Sequence, residues 1–203
     1  MTRPADQSEQ LPAYPAVVLA GIRAAEVDGR LAAPSADDLG EIFPFESPVT
    51  TVRFEAPTLP EPPRKGENGI DCPQCAVVDG DCVWTSPTWR LRAPERPFGV
   101  HALFLEPREH LDHSDLTPQL AAELGQLLVR VEHAVVAAID GVGRVHFSRW
   151  SDGGAHLHWW VIVRPAGLLQ LRGSGLPLWL DVLPPLPEDH WRADLERIAV
   201  ALT

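Results

Sequence analysis

The stretch Ala155-His156-Leu157-His158-Trp159-Trp160-Val161-Ile162-Val163 decides how the rest of the chain is read. It reads as a β-strand from Ala155 to Val163, in which residues two apart share a face. His156, His158 and Trp160 then line one side. Leu157, Trp159 and Val161 line the other, where they pack under a helix. Two imidazoles on one strand face can serve as metal ligand and nucleophile, because neutral imidazole does both near pH 7. The bland alternative for the same pair is a polar, half-exposed strand face. Upstream, Ser151-Asp152-Gly153-Gly154 forms a tight turn and Arg144 to Trp150 reads as a second strand, so the two strands pair antiparallel.

Cys72-Pro73-Gln74-Cys75 is a C-x-x-C hook, the spacing of half a tetrahedral zinc site. It supplies two thiolates and needs two more ligands. His110 and one of the strand histidines would complete a Cys₂His₂ set. His113 competes with His110, and Cys82 competes more weakly because its separation from Cys75 makes no second hook. Cys82 otherwise reads as a small buried hydrophobe. Arg149, Arg164 and Arg172 lie close to the strand in sequence and could neutralise a phosphate, although a single arginine also serves as a surface or salt-bridged residue. Gly153 and Gly154 can offer backbone N–H groups to an anion. Trp160 either packs in the core or stacks on a base or aromatic substrate. His101, His133, His146 and His190 show no partner spacing.

Around this centre the organisation is that of an α+β fold. Val100 to Leu105 is a bounded apolar run of strand length. Thr117 and Pro118 supply an N-cap and first-turn proline, and Leu120, Leu124, Leu127, Leu128, Val131, Val135 and Ala138 recur at intervals of three and four until Asp140-Gly141. This predicts one long helix. A final helix begins near Glu188, with Trp191, Leu195, Ile198, Ala199 and Leu202 on one face. Toward the N-terminus, Pro57, Pro60, Pro62 and Pro63 allow neither helix nor strand interior. Residues 1–66 therefore read as a Pro-rich extension, with helices over Pro15 to Val27 and Ala36 to Phe43 and an extended segment over Pro48 to Glu55. Residues 67–203 form the main domain. Polyproline-like Leu59 to Pro63 reads as a linker or a docking peptide.

The chain of 203 residues carries 17 Lys plus Arg against 28 Asp plus Glu, a formal charge of -11. That charge argues against a protein that grips duplex nucleic acid, while leaving a single nucleotide pocket open. No apolar run approaches the roughly 20 residues of a bilayer crossing, and Ala16 to Ala20, preceded by acids, does not read as a signal peptide. No membrane association is expected. Three cysteines cannot all pair, so a thiol-reducing interior is expected and the chain is placed in the cytoplasm.

Taken in order, the C-x-x-C hook, Pro107 to His110 as P-x-x-H, the Asp115-Leu116-Thr117 lead into the long helix, and H-x-H followed by apolar residues and Arg164 resemble the histidine-triad superfamily. That superfamily holds nucleotidyl hydrolases and transferases, including the galactose-1-phosphate uridylyltransferase branch, and the resemblance covers roughly Cys72 to Pro165. It implies an antiparallel sheet with the long helix packed on it, and a nucleotide or other phosphorylated small molecule as partner. It also implies a structural zinc ion on Cys72, Cys75, His110 and His156, with His158 as the nucleophile that attacks an α-phosphate. A homodimer is implied as well. Trp160 stands where the full pattern has a third histidine and the uridylyltransferase branch has glutamine. Asp152-Gly153-Gly154-Ala155 replaces the Gln-Ser pair common in the hydrolase branch. These departures leave an altered substrate, a slower enzyme or a binding site without turnover as alternatives.

Overall fold

The computed structural model describes residues 20–32, 50–53, 55–180 and 182–203, and the chain divides into two compact units, residues 1–62 and 63–203. In the first, residues 20–25 are helical and the chain turns at Asp28-Gly29, where both residues have positive φ. That is the stop expected there, while the start of the predicted helix lies outside the described residues. The helix predicted over Ala36 to Phe43 also lies outside them. Within the extended segment, residues 50–53 and 55 form no strand. Thr51 instead ties the segment to the turn, its hydroxyl donating to the Leu31 carbonyl at 2.7 Å.

The second unit is built on five antiparallel strands: β1 (Cys82–Thr85), β2 (Trp89–Arg92), β3 (Ala102–Pro107), β4 (Val142–Ser148) and β5 (Trp159–Pro165). Their order in the sheet is β1-β2-β3-β5-β4. Helix α1 (Pro118–Ala138) connects β3 to β4. Thr117 caps it by accepting from the Leu120 amide at 3.2 Å, and Pro118 occupies its first turn, where a missing N–H costs nothing. Leu124, Leu127, Val131, Ala134 and Val135 form its buried stripe. They pack with Leu103, Leu105, Leu157, Trp159, Val161 and Val163 in the main core. α2 (Leu176–Trp179) is a single turn, and α3 (Glu188–Leu202) closes the same core with Ile198 and Leu202. His101, which showed no partner in the sequence, lies buried with its Nε2 2.7 Å from Asp194 of α3.

The opposite sheet face carries a smaller cluster of Val100, Ile162, Leu171 and Leu176, with Trp160 packed against it. The α+β architecture is as expected, but three strand boundaries move. β3 runs two residues further than the apolar run, because Leu105, Glu106 and Pro107 stay paired to Leu91, Arg90 and Trp89. β4 begins and ends two residues before the expected segment. β5 starts at Trp159 rather than Ala155, so His156 and His158 lie off the ladder. The reason is competition for backbone groups: the Leu157 amide donates to the Leu111 carbonyl at 2.7 Å, and the Ala155 amide to the Lys65 carbonyl at 3.0 Å. Strands β1 and β2 have no counterpart in the sequence reading.

Leu105 is fully buried between the sheet and α1. Leu105→Ala is expected to cost about 2–5 kcal/mol, read as a shift in the urea midpoint at unchanged slope.

Candidate metal centre and active site

One imidazole nitrogen each from His110 and His156 and the sulfurs of Cys72 and Cys75 all lie within 4.8 Å of one another. Cys72 Sγ is 3.5 Å from His156 Nδ1, Cys75 Sγ is 3.5 Å from His110 Nδ1, and Cys75 Sγ is 3.6 Å from His156 Nδ1. A tetrahedron with Zn–S of about 2.3 Å and Zn–N of about 2.0 Å has sulfur–nitrogen edges of about 3.5 Å. The donor set thus has both the chemistry and the spacing of a Cys₂His₂ zinc site. Protonation agrees with this. Burial, then the neighbouring Cys72 sulfur, pushes the Cys75 thiol above its usual value, so a thiolate pair here asks for a cation. Burial lowers the His156 pKa and favours the neutral, ligating ring. His156 Nε2 lies 2.9 Å from the Pro107 carbonyl, which can only accept; the proton belongs on Nε2 and the lone pair on Nδ1.

Two residues that no motif singled out hold this arrangement in place. Glu106 of β3 is fully buried and binds Arg90 of β2 at 2.8 Å. Arg90, itself buried, turns its remaining N–H groups to the hook, donating to the Gln74 carbonyl and to the Val77 carbonyl at 3.3 Å. The sheet therefore grips the C-x-x-C backbone through one guanidinium. The alternatives left open in sequence fall elsewhere. Cys82 opens β1 and directs its thiol to the Val78 carbonyl. His113 begins an exposed 3-10 turn with its ring 6.3 Å from Trp159.

His158 follows His156 by two residues, beside the Cys₂His₂ donor set. Its Nδ1–H donates to the His156 carbonyl at 2.8 Å, which leaves the Nε2 lone pair free. Gly154 closes against the ring: a Cβ there would lie 3.7 Å from His158 Cε1. The amides of Gly153 and Gly154 have no protein acceptor among the described residues. Trp160 shares the sheet face of Phe104, its register partner, and its ring is enclosed by Phe104 at 4.6 Å, Trp150 at 5.7 Å and Phe98 at 6.3 Å. On the same face a cavity of about 690 Å³ is lined by His146, Trp150, Ile162 and Leu176 among others.

Of the arginines, Arg149 is near but engaged: it binds Asp112 at 2.7 Å, as does Arg64. Arg164 is carried to the far end of β5, about 20 Å along the strand from His158, where it bonds the Pro165 carbonyl. The structure does not bring it together with the other predicted residues. Arg172 begins the 3-10 turn Gly173–Gly175 beyond β5. Asp112 was missed by sequence reasoning, although Asp112 and Asp115 spell a reciprocal cap in which Asp112 accepts from the His113 amide and Asp115 from the Asp112 amide at 2.8 Å.

Solved structures share this sheet, helix and chain order. A histidine-triad protein of Sinorhizobium meliloti 1021 is 23% identical with a TM-score of 0.50, the match covering 62% of this chain and 96% of that one. A histidine-triad protein of Bradyrhizobium japonicum is 18% identical with a TM-score of 0.50, covering 60% of this chain and 90% of that one. The chain has the histidine-triad fold. A zinc-bound histidine-triad family protein of Mycobacterium smegmatis is similar at 19% identity and a TM-score of 0.47, covering 66% of this chain and 96% of that one. No family model matches the sequence, and no curated protein matches it. Among the described residues of this histidine-triad-like chain, no helix is long and apolar enough to cross a membrane.

Arg90→Met is expected to lower zinc affinity by about 10–100-fold, measured by competition with a colorimetric chelator, because the hook loses its anchor while all four donors remain. A second outcome concerns acid. Burial raises the Asp112 carboxyl, but hydrogen bonds from Arg64, the His113 amide and Arg149 outweigh it and hold its pKa down to about 2. A folded pKa below the unfolded value of about 3.9 stabilises the fold above that value, and the contribution fades as pH falls toward 2. Urea unfolding across that window should therefore show Asp112→Asn losing stability less steeply than wild type.

Proposed function

We propose that this chain is a zinc-stabilised, histidine-triad-like nucleotidyl hydrolase or transferase acting through a nucleotidyl-histidine intermediate, with His158 as nucleophile. The observation that carries the reading is the pair of hydrogen bonds that sort the two imidazoles. His156 directs Nδ1 to the thiols, and the Nδ1 bond of His158 leaves its Nε2 without a protein partner among the described residues. Zinc bound by four protein ligands has no open position, so it contributes rigidity rather than a bound water. Metal loss should accordingly loosen the loop that carries His158.

In the first half-reaction the His158 Nε2 lone pair forms a bond to the α-phosphorus while the bond from phosphorus to the leaving group breaks. Nδ1 keeps its proton, and the positive charge that grows on the ring is stabilised by the His156 carbonyl that already accepts that proton's hydrogen bond. In the second, water or another acceptor attacks phosphorus and the P–N bond breaks. Amides of Gly153 and Gly154 face the incoming anion in this reading. The cavity beside Trp150 offers room for a base or other aromatic group, with Trp160 stiffening its edge.

Trp160 offers one N–H and no titratable proton. A site without an acid at that position suits leaving groups that depart unprotonated, so phosphoanhydrides rank ahead of simple esters. The same substitution favours a second reading, a nucleotide-binding protein without turnover. The homodimer belongs to the proposal too and is read by sedimentation equilibrium.

The test is a panel of dinucleoside polyphosphates, nucleotide sugars and nucleoside phosphoramidates, followed by trapping of an acid-labile phosphohistidine. Turnover that falls at least 10³-fold in His158→Ala, with zinc content unchanged, supports the nucleophile. Equal turnover by that variant removes it, and binding without turnover by wild type selects the second reading.

A further inference from the structure

Residues Arg64-Lys65-Gly66 precede the hook and take no part in the chemistry above. They run parallel to residues 153–155. The Lys65 amide donates to the Gly153 carbonyl at 3.1 Å and the Lys65 carbonyl accepts from the Ala155 amide at 3.0 Å, which sets Lys65 directly opposite Gly154. Both flanks of this strap are locked. Arg64 is bound to Asp112 at 2.7 Å. Gly66, buried with φ +78, sits so close to the hook that a Cβ would lie 3.1 Å from Cys72 Sγ. Only glycine fits there, on conformation and on space.

Residues opposite one another in a β-bridge project to the same face. At Gly154 that direction is recorded, for its Cβ would meet His158 Cε1 at 3.7 Å. The Lys65 side chain therefore leaves the strap on the face where the His158 ring lies. A four-carbon stem on a backbone about 4.8 Å from Gly154 spans the remaining gap. Charge points the same way. Arg64 and Arg149 are committed to Asp112, and Arg64 also to Glu67. Lys65, the one lysine of the chain, is exposed and has no carboxylate partner among the described residues.

We infer that Lys65 is the phosphate-binding cation of this site, its ammonium engaging non-bridging oxygens of the phosphoryl group beside His158 and supplying the charge that Trp160 cannot. The inference rests on the proposed function and adds a residue to it. Because the ammonium binds both ground state and transition state, its loss weakens binding more than it slows the bound complex.

The sole lysine makes the test direct. Full-length, zinc-loaded protein is acetylated with an amine-reactive ester in the presence of AMP, UMP or inorganic pyrophosphate, and Lys65 modification is followed by peptide mass spectrometry. The expected result is at least fivefold protection of Lys65 with the α-amino group unprotected. Lys65→Met should weaken binding of the same ligands by about 10–100-fold at unchanged zinc content, and Lys65→Arg should recover part of it. If wild type binds these ligands while Lys65 stays unprotected and Lys65→Met binds equally well, the role of Lys65 is overturned and the reading of His158 stands. If wild type binds none of them, the functional reading fails and the role of Lys65 fails with it.

Discussion

The carboxylate of Glu106 is sealed between strands, and the rest of the centre follows from how its charge is met. A buried carboxylate is costly unless paired, and Arg90 supplies the partner at 2.8 Å. The guanidinium has donors left over, and these reach the backbone of the C-x-x-C hook. Next in sequence, the Pro107 carbonyl accepts the hydrogen bond of His156 Nε2–H. Two adjacent residues at the end of β3 thereby position both the thiol half and the first imidazole of the donor set. Replacing this pair with aliphatic groups could leave the fold as stable, yet the hook would lose its registration to the sheet.

Much of this was legible in the chain, and the misses have physical causes. Periodicity exposed α1 because its apolar stripe repeats over 21 residues and both ends carry recognisable caps. The H-x-H segment, ambiguous by itself, was legible as chemistry because the hook supplies the other half of a tetrahedral donor set. Period-two reasoning assigned His156, His158 and Trp160 to one face but could not say where pairing begins, since the strap's claim on residues 153–155 is a long-range event. It also said nothing of distance, which is why Arg164 looked close. β1 and β2, four residues each around Ser86-Pro87-Thr88, were too short to show a period. Arg90 and Glu106 look like ordinary surface charges until the sheet buries them.

The segment before Cys72 shows how composition misleads. Its prolines mark a linker, and the residues just after them form a structural part of the second unit, joined to it by backbone hydrogen bonds, by Arg64 and by the close approach of Gly66. The chain's departures from the fuller histidine pattern sit in two settings: Gly153 and Gly154 lie against the strap, and Trp160 lies among the aromatic rings of the sheet face.

The cations gathered near His158 sit on a molecule of formal charge -11. Arg64 and Arg149 are bound to Asp112 and Glu67, which leaves Lys65 as the cation of the strap without a carboxylate partner among the described residues, inside a negative envelope. At physiological ionic strength such fields fade over about 8 Å. A small anion feels that cation once it arrives, whereas a long polyanion must lay most of its phosphates across repelling surface. The proposed site would thus discriminate by length, favouring a single phosphate group over an extended polyanion.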